Sequence, residues 1–134
     1  MNTLETIISI FPSALAQEPE QAIPLREFLA AVKNGRWERK IAICREHIRR
    51  GDRVRYDHKK RELPAVTISC HCLSRERDLT TEAKAITHSG WLQADFDLKD
   101  NPLLADADAV SAKRAALIAD HHVGAVFVGP SGEG

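Results

Sequence analysis

Trp91-Leu92-Gln93-Ala94-Asp95-Phe96-Asp97-Leu98 alternates apolar and polar side chains. A strand of that period sends Leu92, Ala94, Phe96 and Leu98 to one face and Gln93, Asp95 and Asp97 to the other. Two further segments read as strands: the β-branched run Ala65-Val66-Thr67-Ile68-Ser69 and the apolar run from Val123 to Val128. Helical spacing lies around them. Pro24 suits a first helical position, and Leu25, Phe28, Leu29 and Val32 follow up to Gly35. Trp37, Ile41, Cys44 and Ile48 line one face of a helix expected from Arg36 to Arg50, with Gly51 as its stop. A short helix is expected within residues 75–85 and a longer one from Leu103 to His121. Lys59-Lys60-Arg61-Glu62-Leu63-Pro64 reads as a basic turn, and residues 129–134 as a glycine-rich turn. Interleaved helices and strands predict an α+β or α/β fold, with a small sheet of about three to four strands packed against helices.

The chain has 134 residues, 43% apolar and 28% charged, which fits one folded domain and argues against disorder. Residues 1–21 are expected to be a loosely structured leader or short strand, and residues 22–134 the domain. Ile7-Ile8-Ser9-Ile10-Phe11 faintly imitates a signal peptide, but Glu5 precedes it, no Lys or Arg does, and Pro12 cuts it short. No apolar run approaches the roughly 20 residues of a membrane helix. Three cysteines do not make a disulfide framework, so a reducing, cytoplasmic setting is expected.

Net charge is zero, with 19 Lys+Arg and 19 Asp+Glu, which excludes a uniformly basic coat protein. The charge is nonetheless segregated. Residues 33–62 carry twelve Lys/Arg against five acids, and residues 91–134 three against seven. Such an arrangement suits a protein that holds a polyanion with one part and a metal ion with the other; solvated helix faces would give it too.

On the expected strand, Asp95 and Asp97 emerge on one face about 6.5–7 Å apart. Carboxylates so placed repel unless a cation or solvent lies between them, and Mg²⁺ takes such ligands. A half-exposed edge strand with an acidic face is the plainer alternative. The turn 129–134 exposes backbone N–H groups where a phosphate could approach. It reads equally as a tight loop, or as the start of a P-loop, since Gly129 and Gly134 have the G-x-x-x-x-G spacing. Cys70-His71-Cys72 lacks the four ligands of structural zinc and reads as two small strand residues on one face. His121-His122 reads as a helix end, and His47 and His58 as part of the basic surface.

Three segments together carry a resemblance: residues 59–67, His88-Ser89-Gly90-Trp91-Leu92-Gln93-Ala94-Asp95-Phe96-Asp97, and Val126-Phe127-Val128-Gly129-Pro130-Ser131-Gly132-Glu133-Gly134. In order and spacing the chain from about Leu25 to Gly134 resembles the primase-like N-terminal domain of virulence-associated-E-type replication proteins. That domain occurs in phages and mobile elements, often precedes a helicase, and is similar to the archaeo-eukaryotic primase superfamily. The resemblance implies that Asp95 and Asp97 are the catalytic, metal-binding aspartates, with Mg²⁺ or Mn²⁺ as cofactor. It implies that Ser131, Gly132 and Gly134 contact the nucleotide's phosphates, and that the reaction is two-metal nucleotidyl transfer. The basic residues Arg49, Arg50, Arg53, Arg55, Lys59, Lys60 and Arg61 would bind nucleic acid.

The family continues past the glycine turn with an apolar residue, a basic residue and a third acidic position. Gly134 precedes all three, so the primase-polymerase-like core is expected to be incomplete, truncated at its C-terminus and inactive alone. The implied partners are DNA, nucleotides and a replicative helicase, and an unpaired sheet edge would favour a homodimer. Two other readings stand beside this one: a non-catalytic DNA-binding or adaptor remnant, and the front of a P-loop ATPase cut before its lysine.

Overall fold

A computed structural model describes residues 3–97 and 99–132; Leu98, at the end of the expected strand, and Gly134, an expected nucleotide contact, lie outside the described residues. The chain divides into two units, residues 1–93 and 94–134. The fold is α+β, with five helices and antiparallel sheets of three and two strands among the described residues. None of the described helices is long and apolar enough to cross a membrane.

Residues 7–11, expected as part of a loosely structured leader or as a short strand, are a strand and supply the middle of the first unit. They form β1 (Ile7–Phe11), which pairs antiparallel with β2 (Gln21–Pro24) on one side and β3 (Ala65–Thr67) on the other. A strand covered on both faces reads as a continuous apolar run, which explains Ile7-Ile8-Ser9-Ile10-Phe11 better than a leader does. Ile8 and Ile10 meet Leu25 and Phe28 of α1 (Leu25–Lys33), joined by Val32, Trp37, Val66 and Trp91. The spacing that predicted α1 is therefore the spacing of its buried face.

The other face of β1 is covered by a hairpin of β4 (Cys70–Cys72) and β5 (Ala85–His88). Ser9, fully buried, joins the two layers. Its Oγ donates to the Cys72 carbonyl at 2.9 Å and accepts from the Cys72 N–H at 2.8 Å. One hydroxyl thereby bonds both the donor and the acceptor of one backbone residue across the layers. Arg75 lies with its guanidinium 4.4 Å from the Phe11 ring centroid and donates to the carbonyls of Ala14 and Ala16. The short helix α4 (Thr81–Lys84) begins at Thr80, whose Oγ1 accepts from the Ala83 N–H.

A second, smaller core joins α2 (Glu38–Arg49) to α3 (Arg53–Arg61). Cys44, Tyr56 and Leu63 are buried there, flanked by Ile41 and Ile48. The turn between the helices needs Gly51 at φ +70°, a left-handed value that costs other residues about 1–2 kcal/mol. Asp52 then caps α3 by accepting from the Arg55 N–H at 3.0 Å. The basic stretch from Lys59, expected as a turn, thus starts inside a helix. Only Tyr56 of α3 is buried, so no apolar period announces it.

In the second unit α5 (Ala107–Ala119) follows a 3-10 turn, Pro102–Ala105. Asp106 caps α5, accepting from the N–H groups of Asp108 and Ala109. No described residue of this unit is buried, and Leu103, Ile118, Phe127 and Val128 are all exposed. The strands expected at 91–98 and 123–128 do not form among the described residues. Leu92, which the alternation assigns to an inward face, is 92% exposed. Alternation predicts a strand only where something covers the apolar face, and Leu92 is left uncovered.

Candidate functional site

The helical pair α2–α3 carries all seven cations expected to meet nucleic acid. Arg49 and Arg50 end α2 and its cap, and both reach Glu46, at 2.6 and 2.7 Å. The Arg50 hydrogen bond, then the Arg49 charge, hold the Glu46 carboxyl below its ordinary range. On α3, Lys59 pairs with Glu62 at 3.0 Å and lowers its carboxyl in the same way. Arg55 pairs more loosely with Asp52, at 3.5 Å. Arg53 and Lys60 flank the Tyr56 ring, at 5.0 and 5.9 Å from its centroid.

A helix of 3.6 residues per turn decides how these charges point. Arg53 and Lys60, seven apart, share one side with Tyr56 between them. Arg55 and Lys59, four apart, share another. The basic stretch is therefore distributed around α3 rather than gathered on one strip. All of its ion pairs are solvent-exposed, and such pairs are worth at most about 1 kcal/mol, so an arriving phosphate can displace their carboxylates.

Asp95 and Asp97 lie in the second unit, both exposed, one residue apart. Among the described residues neither carboxylate has an ion-pair or hydrogen-bond partner, whereas the backbone carbonyl of Asp97 accepts from Asp100 and from Asn101 twice. Those bonds fold the chain sharply after Asp97. Two exposed carboxylate donors without protein partners fit a hard divalent cation by their chemistry.

The glycine turn is a tight one. The Gly132 N–H donates to the Gly129 carbonyl at 3.1 Å, Pro130 takes the second position, and Gly132 has φ +78°. That hydrogen bond occupies the Gly132 amide, so of this turn's N–H groups it is not one a phosphate would find free. Ser131 is half-buried. No hydrogen bond or ion pair joins Asp95 or Asp97 to this turn among the described residues.

A cleft of about 560 Å³ in the same unit is lined by Phe96, Asp100, Leu104, Ala109 and Lys113, with the Lys113 ammonium 5.2 Å from the Phe96 ring centroid. It takes in the residue between the two aspartates, but not Asp95, Asp97, Ser131 or Gly132. The expected acidic pair and the expected phosphate turn lie in one unit, and neither lines this cleft.

Asp120, His121 and His122 form a cluster the sequence reading passed over, with ligand atoms within 4.8 Å of one another. Asp120 Oδ1 accepts from the His122 backbone N–H at 2.9 Å and lies 3.2 Å from His122 Nδ1. The sequence reading placed the two histidines at a helix end, and α5 does stop just before them, at Ala119; that Asp120 joins them was not read. Comparisons of the chain with protein-family models, with curated proteins and with solved structures find no match.

Proposed function

We propose that this chain belongs to a primase- or polymerase-like nucleotidyltransferase domain of a phage or mobile-element replication protein, acting on DNA and nucleotides. The observation that carries the reading is the pair Asp95 and Asp97, two exposed carboxylates without protein partners among the described residues. Carboxylate oxygens of this kind are the ligands a hard divalent cation takes. Bound there, Mg²⁺ or Mn²⁺ would neutralise charge on the transferring phosphate and favour ionisation of the attacking hydroxyl. Asp95 and Asp97 would hold the ion, Ser131 and its turn would meet the nucleotide's phosphates, and the cations of α2–α3 would hold the nucleic-acid backbone.

Calorimetry with Mn²⁺, with and without a deoxynucleoside triphosphate, tests this. One site is expected in the wild type, lost in the Asp95→Asn, Asp97→Asn double variant. A wild type that binds no metal even with nucleotide present overturns the catalytic reading.

A second reading, a DNA-binding or adaptor module without catalysis, is favoured by one observation. The helices α2 and α3 are built on a buried core, while the segment bearing the aspartates has no buried residue among those described. That reading expects DNA binding to be unaffected by Asp95→Ala and metal to be irrelevant to it.

A further inference from the structure

The cysteines of β4 stand in an arrangement that none of the chemistry above uses. Cys70 and Cys72 flank His71, and opposite His71 and Cys72 the pairing skips Ile86 of β5. In a regular strand, residues two apart lie about 6.5–7 Å apart along the chain, at or beyond the longest Cα separations a disulfide spans. Here the two sulfurs are nonetheless 2.7 Å apart. Two thiolates on one tetrahedral zinc, with Zn–S of about 2.3 Å, would stand about 3.8 Å apart, so the spacing favours a covalent S–S link over a shared metal.

Both cysteine backbones are also held. Ser9 grips Cys72 through its N–H and carbonyl, and Thr67 Oγ1 donates to the Cys70 carbonyl at 2.9 Å. The sulfurs are therefore already brought together in the reduced chain. They are reachable as well: a cavity of about 260 Å³ is lined by Cys70, Cys72, Ser74, Arg75, Lys84 and His88. Cys70 is half-exposed while Cys72 is buried, so attack from solvent starts at Cys70. Arg75, Lys84 and His88 give the cavity a basic lining that suits an oxidant bearing carboxylates.

We infer that Cys70 and Cys72 form a reversible dithiol–disulfide site that is oxidised by small anionic disulfides of the glutathione type. The Cys70 thiolate attacks one sulfur of the small disulfide, forming a mixed disulfide and releasing one small thiolate. The Cys72 thiol gives its proton to solvent and attacks the Cys70 sulfur, expelling the second small thiolate. Two protein thiols lose two electrons and two protons, and the small disulfide becomes two small thiols. Burial, then the neighbouring Cys72 sulfur, push the Cys70 thiol up to about 11. At that value the attacking thiolate is scarce near neutral pH, so oxidation should quicken as pH rises.

The test is to incubate the reduced full chain with oxidised glutathione, quench in acid, unfold, label with a maleimide and weigh the intact protein. A monomer that has lost two hydrogen atoms and takes one maleimide, on Cys44, is expected in place of three. In a tryptic digest the peptide of residues 62–75, which holds both cysteines, should show the two-hydrogen loss. Cys72→Ser should stop at a stable glutathione adduct on Cys70. Three maleimides on the wild type, a persistent wild-type adduct or disulfide-linked dimers would each overturn the inference. The wild-type measurement decides even if the variant does not fold.

Discussion

Salt dependence gives the most direct test of the basic helical pair, because its size follows from the ion pairs. Seven cations are assigned to nucleic acid in the proposal, and engaging all of them sets the steepest slope the pair can give, but Arg49 and Arg50 share Glu46, Arg55 has Asp52 and Lys59 has Glu62. A phosphate that takes a cation from a protein carboxylate leaves that carboxylate needing a counterion. Net counterion release therefore counts the excess of seven cations over three carboxylates, which is four, and not the seven. For a single strand, log K should fall against log salt with a slope of about −3, or about 50-fold weaker binding between 50 and 200 mM salt. Replacing Lys59, Lys60 and Arg61 by Gln leaves four cations against the carboxylates of Glu46 and Asp52, an excess of two, a slope of about −1.4, and a loss of about sevenfold over the same range. Gln keeps the helix, since its propensity is close to that of Lys and Arg. Fluorescence anisotropy of a labelled oligothymidylate across the salt series reads both slopes, with circular dichroism to show that the variant keeps its helices. A flat wild-type slope, or one that the triple substitution leaves unchanged, would refute the assignment of α2–α3 to nucleic acid.

Two further outcomes follow from the structure. Ser9→Ala removes the hydroxyl that serves both the N–H and the carbonyl of Cys72, at a fully buried site. Each orphaned group costs about 1–3 kcal/mol, so a loss of about 2–4 kcal/mol is expected. In urea, followed by tryptophan fluorescence, that is a midpoint lowered by about 1–2 M with unchanged m; a shift below the scatter of repeat titrations would mean the hydroxyl does not join the layers. The second outcome concerns acid. Glu46 and Glu62 are held below 4.5 in the fold by Arg50 and Lys59, so the folded chain binds fewer protons than the unfolded one. Their contribution is whole above about pH 4.5 and disappears as pH falls through the lowered folded values. Glu46→Gln with Glu62→Gln should therefore flatten stability against pH below about 4.5 and leave its shape near neutrality alone, measured by denaturation at stepped pH.

What could be read from the sequence depended on whether burial leaves a periodic trace. Leu25, Phe28, Leu29 and Val32 announce α1, and Trp37, Ile41, Cys44 and Ile48 announce α2, because each helix sets one stripe against a core. The helix α3 leaves no such trace. Tyr56 is its only buried side chain and Val54 is 81% exposed, so the Asp52 cap and the packing on α2 specify it instead. The strand β1 misled in the opposite way. Covered on both faces, it shows an unbroken apolar run, which beside Pro12 looks like a leader. The basic character of residues 33–62 was plain in composition, but only the helix shows that its cations face several directions.

The acidic pair shows a sharper limit, and it bears on how the metal test must be run. Asp95-Phe96-Asp97 was legible as residue types at a spacing. The spacing says nothing about what holds the carboxylates, and among the described residues nothing does: neither side chain accepts a hydrogen bond. Metal sites that bind tightly on their own orient their ligands through a further layer of hydrogen bonds, and losing such a layer typically costs 10- to 100-fold in affinity. Magnesium sites of the substrate-assisted kind manage with one or two carboxylates because phosphate oxygens supply the remaining ligands. If Asp95 and Asp97 hold a catalytic ion, binding without nucleotide should be weak and binding with a triphosphate markedly tighter. A site that took metal equally well in both conditions would belong to some other donor set, and Asp120, His121 and His122, whose donors already lie within 4.8 Å of one another, are the group to substitute first.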